Sequence, residues 1–524
     1  MCARSARANT SKEIVSTPPT FVVVWRPAVR GAYSSRMRGG ATLLAIAIAA
    51  QENDRAAQLF FSASVAFNQR RHDDAVLHFE RLRQHAPSFA KRHEADRIHG
   101  MALASLQRGE EALQCWERAM QAAPHDTFRR DLSSTVMRAA GAFHSIANQS
   151  PDDVSLRVSA GVLAKQAGNS ELAVEHLEAA LRLQPETPSA MLALGMLYRA
   201  ERAEKAQRLL RTALDLAPRQ HGCVSAYGAL ADISCGGVNA KLVDLPQCCA
   251  NYIAMFEAAL EEGDAASATQ AVSSAARMAL RLHDEEHGVA EAQALGERGV
   301  VAGLLHAPLQ FPRHFIKGLV SQPWWHEPAR EWRAVQLLEQ HAKAIREEVM
   351  RVYERTGGFS ELWDVQSDAD ASLARVGKWG QINIIRNGQP ETRARELLPL
   401  TSKLVLSLPE ATSMARGAAK VSVMDPGTLI RPHSGPTNSR IRIHCGISIP
   451  LSCGMAVNGE PPRTWVEGQC TAFDDSFVHS VWHNGTTPRI VLIVDVWHPD
   501  LDTASTREES LVGSPWEGSY RMDN

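Results

Sequence analysis

The sequence predicts a multidomain protein in which an all-α solenoid of helical repeats precedes a β domain of the double-stranded β-helix, or jelly-roll, kind. Three observations carry this. The chain has 524 residues, well beyond the roughly 100 to 200 of one ordinary domain. A spacing of small and large apolar residues recurs through the first half, and nine of the eleven tryptophans fall after residue 320, in a region where the apolar period becomes two. Composition is globular, with 44% hydrophobic and 22% charged residues, which excludes collagen-like, coiled-coil and wholly disordered chains. A net charge of −2 leaves no basic footprint for nucleic acid over the whole chain.

In chain order, residues 1–38, with Thr17-Pro18-Pro19-Thr20 and scattered Arg and Ser, lack periodicity and read as a disordered or targeting segment. Ala41 to Ala50 (ATLLAIAIAA) follows Arg36 and Arg38 and ends in small residues. Three readings stay open for it: the first helix of the next domain, a signal or transit segment, or a membrane anchor. No run of about 18 apolar residues occurs, so no membrane-spanning helix is expected. Nine cysteines, odd in number and without a C-x-x-C pair, favour a reducing, cytoplasmic setting and argue against a zinc knuckle. Adjacent Cys248 and Cys249 read as small buried apolar residues of a helix. Export or membrane association through Ala41–Ala50 is the alternative.

Residues 39–220 carry the repeat: Ala, a large residue four later, an apolar one at seven and Pro at twelve. It occurs as Ala75, Phe79, Leu82, Pro87; Ala112, Trp116, Ala119, Pro124; Ala173, Leu177, Ala180, Pro185; and Ala206, Leu210, Ala213, Pro218. Small Ala lets two helices approach, the large residue fills the groove, and Pro stops the second helix. Gly100 and Gly161 each stand twelve residues before the Ala of their copy. The pattern resembles the tetratricopeptide repeat, which implies a solenoid able to dock a partner but not which partner. An equally open reading makes the first half a spacer. Residues 221–305 continue helically without a clean repeat, as a capping or linking segment.

Residues 306–500 hold the candidate chemistry, and 501–524 form a tail. A helix is expected from Arg330 to Thr356, and from about residue 375 the period is two. In Arg440–Ile449 (RIRIHCGISI), Ile441, Ile443, Cys445 and Ile447 face one way and Arg440, Arg442 and His444 the other. Arg489–Trp497 (RIVLIVDVW) likewise sets Arg489 and Asp495 opposite Ile490, Leu492, Val494 and Val496. Cationic heads on interior faces imply a wet cavity with anionic contents.

Two histidines frame that interior: His433, in the turn-rich Arg431–Asn438 just before one strand, and His479, just before the other, with Arg489 ten residues on. Non-haem iron oxygenases use this arrangement, the His pair holding Fe(II) with open positions and the Arg taking the distal carboxylate of 2-oxoglutarate. The usual carboxylate ligand two residues after the first His is replaced by Gly435.

The segments VSVMDPGTLIRPHSGPTNSRIRIHCGISIP (421–450) and FDDSFVHSVWHNGTTPRIVLIVDVWH (473–498) closely resemble the aspartyl/asparaginyl β-hydroxylase family, over about residues 308 to 500. The resemblance implies His433 and His479 as iron ligands, with water where Gly435 leaves a gap. It implies Ser422, Arg442, His444, Arg489 and Trp379 around 2-oxoglutarate, and Gln381 and Arg440 as substrate contacts. The implied activity is an Fe(II)-, 2-oxoglutarate- and O2-dependent dioxygenase hydroxylating the β-carbon of Asp or Asn in a protein or peptide, docked on the repeats. Two alternatives remain: a hydroxylase of lipid acyl chains of the lipid A type, and a catalytically inactive repeat scaffold.

Other features read as structural. Asn484-Gly485 and Pro488 rule against a helical zinc site of His479 and His483. Asp474 and Asp475 are expected to order the loop carrying His479, Asn438 to fix a turn, and His498 to close a strand.

Overall fold

The computed structural model describes residues 40–511, apart from 88, 90–91, 124, 238–242, 357–363, 366–373 and 415–416. The expectation for residues 1–38 lies outside the described residues. Ala41–Ala50 falls in the first helix, and among the described residues no helix is long and apolar enough to cross a membrane.

The helical part comprises α1 (Gly40–Asn68), α2 (His72–His85), α3 (Arg92–Ser105), α4 (Gly109–Gln121), α5 (Asp126–Gln149), α6 (Val154–Gln166), α7 (Ser170–Leu183), α8 (Pro188–Tyr198), α9 (Ala203–Leu216), α10 (Cys223–Ser234), α11 (Leu245–Glu262), α12 (Ala265–Leu282) and α13 (Glu285–Val301). Short polar side chains start several of them: Asp153, Asn169, Asp244, Asp264 and Asp284 each accept a first-turn backbone N–H. Pro87, Pro185 and Pro218 each lie two residues beyond a helix end, as the repeat spacing requires. The Ala and large residues of all four copies are at most 3% exposed. Helix pairing is set by small against large. A Cβ on Gly100 would run into the Trp116 indole, and one on Gly161 would come within 2.6 Å of Leu177. Gly195 against Leu210 is a third such contact, at 2.7 Å, which the twelve-residue rule does not reveal because the offset there is eleven. The single 24-residue helix α5 interrupts the repeats between the second and third copies. Together these hairpins form a tetratricopeptide-like solenoid.

Among the described residues the β part has eleven strands: β1 (Asp364–Val365), β2 (Ala374–Val376), β3 (Trp379–Arg386), β4 (Gln389–Pro390), β5 (Ala419–Met424), β6 (Leu429–His433), β7 (Arg440–Ser448), β8 (Cys453–Val457), β9 (Cys470–Phe473), β10 (His479–His483) and β11 (Arg489–Trp497). They form two antiparallel sheets, one ordered β1-β3-β5-β11-β7-β9 with β4 on β3, the other β2-β6-β10-β8. From β5 onward successive strands alternate between the sheets, the winding expected of a double-stranded β-helix. On the outer face of the larger sheet, Ile441, Ile443, Leu492 and Val494 pack with helical residues such as Val335, Val349 and Val405. Its inner face meets the smaller sheet through Val491, Ile493, Ile430 and Met455.

Two expectations need correction. The helix expected over Arg330–Thr356 is two helices, Arg333–Gln340 and Ala342–Arg355. The break lies at His341, whose ψ of 9° leaves helical geometry and whose Nδ1 lies 2.9 Å from the Leu337 carbonyl. The cysteines are not all thiols: Cys235–Cys248 and Cys445–Cys470 are disulfides, so Cys248 is bridged and only Cys249 of that pair is a free buried thiol. Linear spacing could not show this, because β7–β9 pairing sets Cys445 opposite Cys470 and the α10–α11 connection brings Cys235 to Cys248. The support that unpaired thiols lent to a reducing compartment is thereby lost. Residues of the tail include the helix Ala504–Leu511.

Phe311 joins the two parts. Its ring is fully buried in the cluster formed with α11–α13, its N–H donates to Ser476 O at 3.1 Å, and its carbonyl accepts from Arg277 Nη1 of α12 at 3.1 Å and from Ser434 Oγ at 2.9 Å.

Candidate active site

Strand pairing places the two histidines together. His433 ends β6, His479 begins β10, and the two are direct register partners with ring centroids 4.2 Å apart. Each ring is fixed by its own chain: His433 Nδ1 meets Arg431 O at 2.8 Å, and His479 Nδ1 meets Phe477 O at 2.9 Å. A carbonyl only accepts, so each Nδ1 carries the hydrogen and the lone pair is on Nε2, the form a metal requires. Burial, aided by neighbouring His433, pushes His479 down to about 3, so it is neutral at ordinary pH.

No carboxylate among the described residues clusters with the two imidazoles. A Cβ on Gly435 would lie 2.5 Å from the Asp475 carboxylate, so Asp475 fills the space a side chain there would take. Its oxygens are committed to Arg440, by Nη2 at 2.7 Å, and to Arg442, by Nη1 at 3.0 Å. Asp495 completes the network, taking Arg442 Nε at 2.8 Å and Arg440 Nη1 at 2.9 Å. Burial alone would raise the Asp475 carboxyl, but Arg440 and Arg442 outweigh it and hold it well below the usual carboxylate range. Two guanidiniums thus face two carboxylates, and Arg440 and Arg442 enter the interior already paired. Asp474 does order the loop, accepting from Ser476 N at 2.9 Å, and burial lifts its carboxyl to about 7.

Arg489 is the exception. It is 2% exposed, and among the described residues no carboxylate pairs with it. Its Nε is buried with no hydrogen-bond partner, its Nη1 lies 3.5 Å from Ser422 Oγ, and its guanidinium stacks 4.2 Å over the Trp465 ring. Burial pushes it down to about 10. Ser422 Oγ also accepts Trp379 Nε1 at 2.9 Å, which brings the predicted Trp379, Ser422 and Arg489 into one group. His444 lies 5% exposed with both ring nitrogens unpartnered, between Trp465 and Phe473, and burial with nearby Arg489 holds it well below the usual imidazole range. The buried Oε1 of Gln381, register partner of Ser422, also lacks a donor.

Sequence reasoning missed Trp465, which sits on an irregular segment with no period to betray its direction, and Phe473, which packs against both His444 and His479. It placed Asp495 on the correct face without pairing it to the arginines across β7. Asn438, expected to fix a turn, instead ties its segment to Ile316 N and O, 122 residues away, and His498, just past the end of β11, donates Nε2 to Val320 O. His483 closes the turn to Thr487.

Residues 339–499 match the model of the family described as Aspartyl/Asparaginyl beta-hydroxylase. This stretch is similar to that family. The chain is 36% identical over 222 residues to the aspartyl/asparaginyl beta-hydroxylase of Homo sapiens, covering 42% of this chain and 28% of that protein. It is 34% identical over 207 residues to aspartate beta-hydroxylase domain-containing protein 2 of Mus musculus, covering 38% of this chain and 58% of that protein. The chain therefore spans less than two thirds of the relatives it matches. Its helices align at 17% identity and a TM-score of 0.22 with a thermophilic TPR protein of Thermus thermophilus, over 42% of this chain and 98% of that one.

Proposed function

We propose that the hydroxylase domain is an Fe(II)- and 2-oxoglutarate-dependent dioxygenase that hydroxylates the β-carbon of Asp or Asn in a protein or peptide. The observation that supports this most is Arg489, a buried guanidinium with no acid beside it. An unpaired charge inside a protein is costly, and a dicarboxylate ligand supplies the missing partner. The two imidazoles fit Fe(II), since each is fixed at Nδ1 and offers Nε2, and Gly435 leaves further positions open. Iron held by His433 and His479 would supply the coupling of 2-oxoglutarate decarboxylation, to succinate and CO2, with insertion of one oxygen atom of O2 into a C–H bond.

The chain's own residues bind and orient. Arg489 and Ser422 hold the distal carboxylate, Trp379 walls it in through its bond to Ser422, and Trp465 shields the guanidinium from water. His444 and Arg442 border the keto-acid end. Gln381 offers a buried acceptor to a substrate amide, and Arg440 lends a positive edge tempered by Asp475 and Asp495. Two neutral ligands leave the metal's charge undiminished, which favours an acidic substrate. The substrate class itself rests on the names of the relatives. The repeats present the partner, with Phe311 linking them to both histidine-bearing loops.

Anaerobic titration of the full chain with Fe(II) and 2-oxoglutarate is expected to give the visible metal-to-ligand charge-transfer band of a chelated keto acid. His433→Ala and His479→Ala abolish it, while Arg489→Leu requires far more 2-oxoglutarate. A folded wild type without the band overturns the reading. Turnover of acyl lipid but not of Asp- or Asn-containing peptides overturns the substrate class.

A further inference from the structure

A second cluster of metal-binding side chains lies far from the hydroxylase site, in the first repeats. Asp96 and His99 stand three apart on α3, hence on one helix face, and Cys115 faces them from α4. Their ligand atoms all lie within 4.8 Å of one another. His99 is 5% exposed, stacks on Phe79 with ring centroids 5.5 Å apart, and has a buried Nε2 with no hydrogen-bond partner. Cys115 is a free, buried thiol. Between them sits Arg118, whose Nη2 lies 3.1 Å from Asp96 Oδ1 and 3.0 Å from Cys115 Sγ. A cationic nitrogen thus already sits between a carboxylate oxygen and a sulfur, while the imidazole beside them goes unused. Asp96, His99 and Arg118 line a cavity of about 210 Å3 together with Phe79, Arg83 and Arg92, and Arg118 is 30% exposed at its edge, so it has room to withdraw.

We propose that Asp96, His99 and Cys115 form a binding site for a thiophilic divalent ion of the zinc class, with Arg118 standing in for the cation until the ion displaces it. One nitrogen, one sulfur and one oxygen donor are a ligand set zinc accepts, with a fourth position left for water from the cavity. Bonds of about 2.0 to 2.3 Å around a tetrahedral ion set its donors roughly 3.5 Å apart, a spacing that ligand atoms within 4.8 Å of one another reach by a small inward shift. Charge balances: the ion enters as M2+, Cys115 releases its thiol proton to solvent, and thiolate plus carboxylate neutralise the ion while Arg118 turns to water. The exposed Arg83 and Arg92 oppose entry of the cation, weakly because solvent screens them. Such an ion would pin α3 to α4 at the start of the solenoid. The site is chemically distinct from the two-imidazole pair, which has no sulfur.

Cobalt(II) tests this in the full chain, because only a thiolate ligand gives the near-ultraviolet sulfur-to-cobalt charge-transfer band. The wild type is expected to show the band. Cys115→Ser abolishes it, His99→Ala weakens it, and His433→Ala, which removes a candidate iron ligand, leaves it unchanged. Arg118→Gln removes the competitor and brings the band in at about tenfold lower cobalt, the equivalent of one charge-assisted hydrogen bond. Absence of the band in both wild type and Arg118→Gln overturns the proposal, as does a band that persists in Cys115→Ser.

Discussion

The helical half buries mainly apolar atoms, whereas the β half adds charged and imidazole groups to an apolar core. In the solenoid Trp116, Leu177 and Leu210 are fully buried, seated against Gly100, Gly161 and Gly195. In the hydroxylase domain the interior between the sheets holds Arg440, Asp475, Asp495, His479, Arg489 and Ser422. Apolar burial stabilises wherever it occurs and so can be repeated along a chain. Charge burial stabilises nothing by itself, and is retained where each charge meets another or awaits a ligand. The solenoid is therefore built for extent and the sandwich for one small volume.

Breaking the charge network should give the largest effect. Asp495→Ala leaves Arg440 and Arg442 sharing a single buried carboxylate, and should cost about 3–5 kcal/mol in denaturant unfolding. A loss below about 1 kcal/mol would mean that water already serves those guanidiniums. In the solenoid, Gly100→Ala drives a methyl into Trp116 and should cost about 1–3 kcal/mol by overpacking; an unchanged midpoint would show that the indole can shift. A smaller effect follows from His498, buried against Trp325 with Nε2 donating to Val320 O and Nδ1 accepting from Asp500 N. Burial lowers its folded pKa, so below the ordinary imidazole value the unfolded chain takes up the proton first. Stability is then lost as pH falls through that range, and His498→Leu should flatten this part of the profile. Arg489→Leu should sharpen the contrast most while changing stability least. It removes an unpaired buried charge, so the melting temperature holds or rises while the 2-oxoglutarate response disappears; a large loss of stability would show that Arg489 is structural.

Legibility followed the same division. The repeat was visible because four copies place Ala and a large residue at fixed offsets, and the β strands because Arg440, Arg442 and His444 alternate with isoleucines. The candidate metal pair could be read from His433 and His479 each preceding such a strand. Contacts between distant strands were not readable: the Asp475 carboxylate against Gly435, Asp495 across from two arginines, and the Cys445–Cys470 bridge depend on register. Trp465 was missed for the same reason. The Asp96, His99 and Cys115 cluster was hidden because the repeat explains those helices without it.

Phe311 has a practical consequence. One residue hydrogen-bonds next to His433 through Ser434, three residues before His479 through Ser476, and to the solenoid through Arg277. It lies upstream of the stretch shared with the hydroxylase family, residues 339–499. A shortened chain trimmed to that stretch would keep every candidate ligand yet lose the rivet holding both histidine loops in line. Repeats could be added or removed at the far end of the solenoid without disturbing it, whereas the last three helices have to travel with the β part.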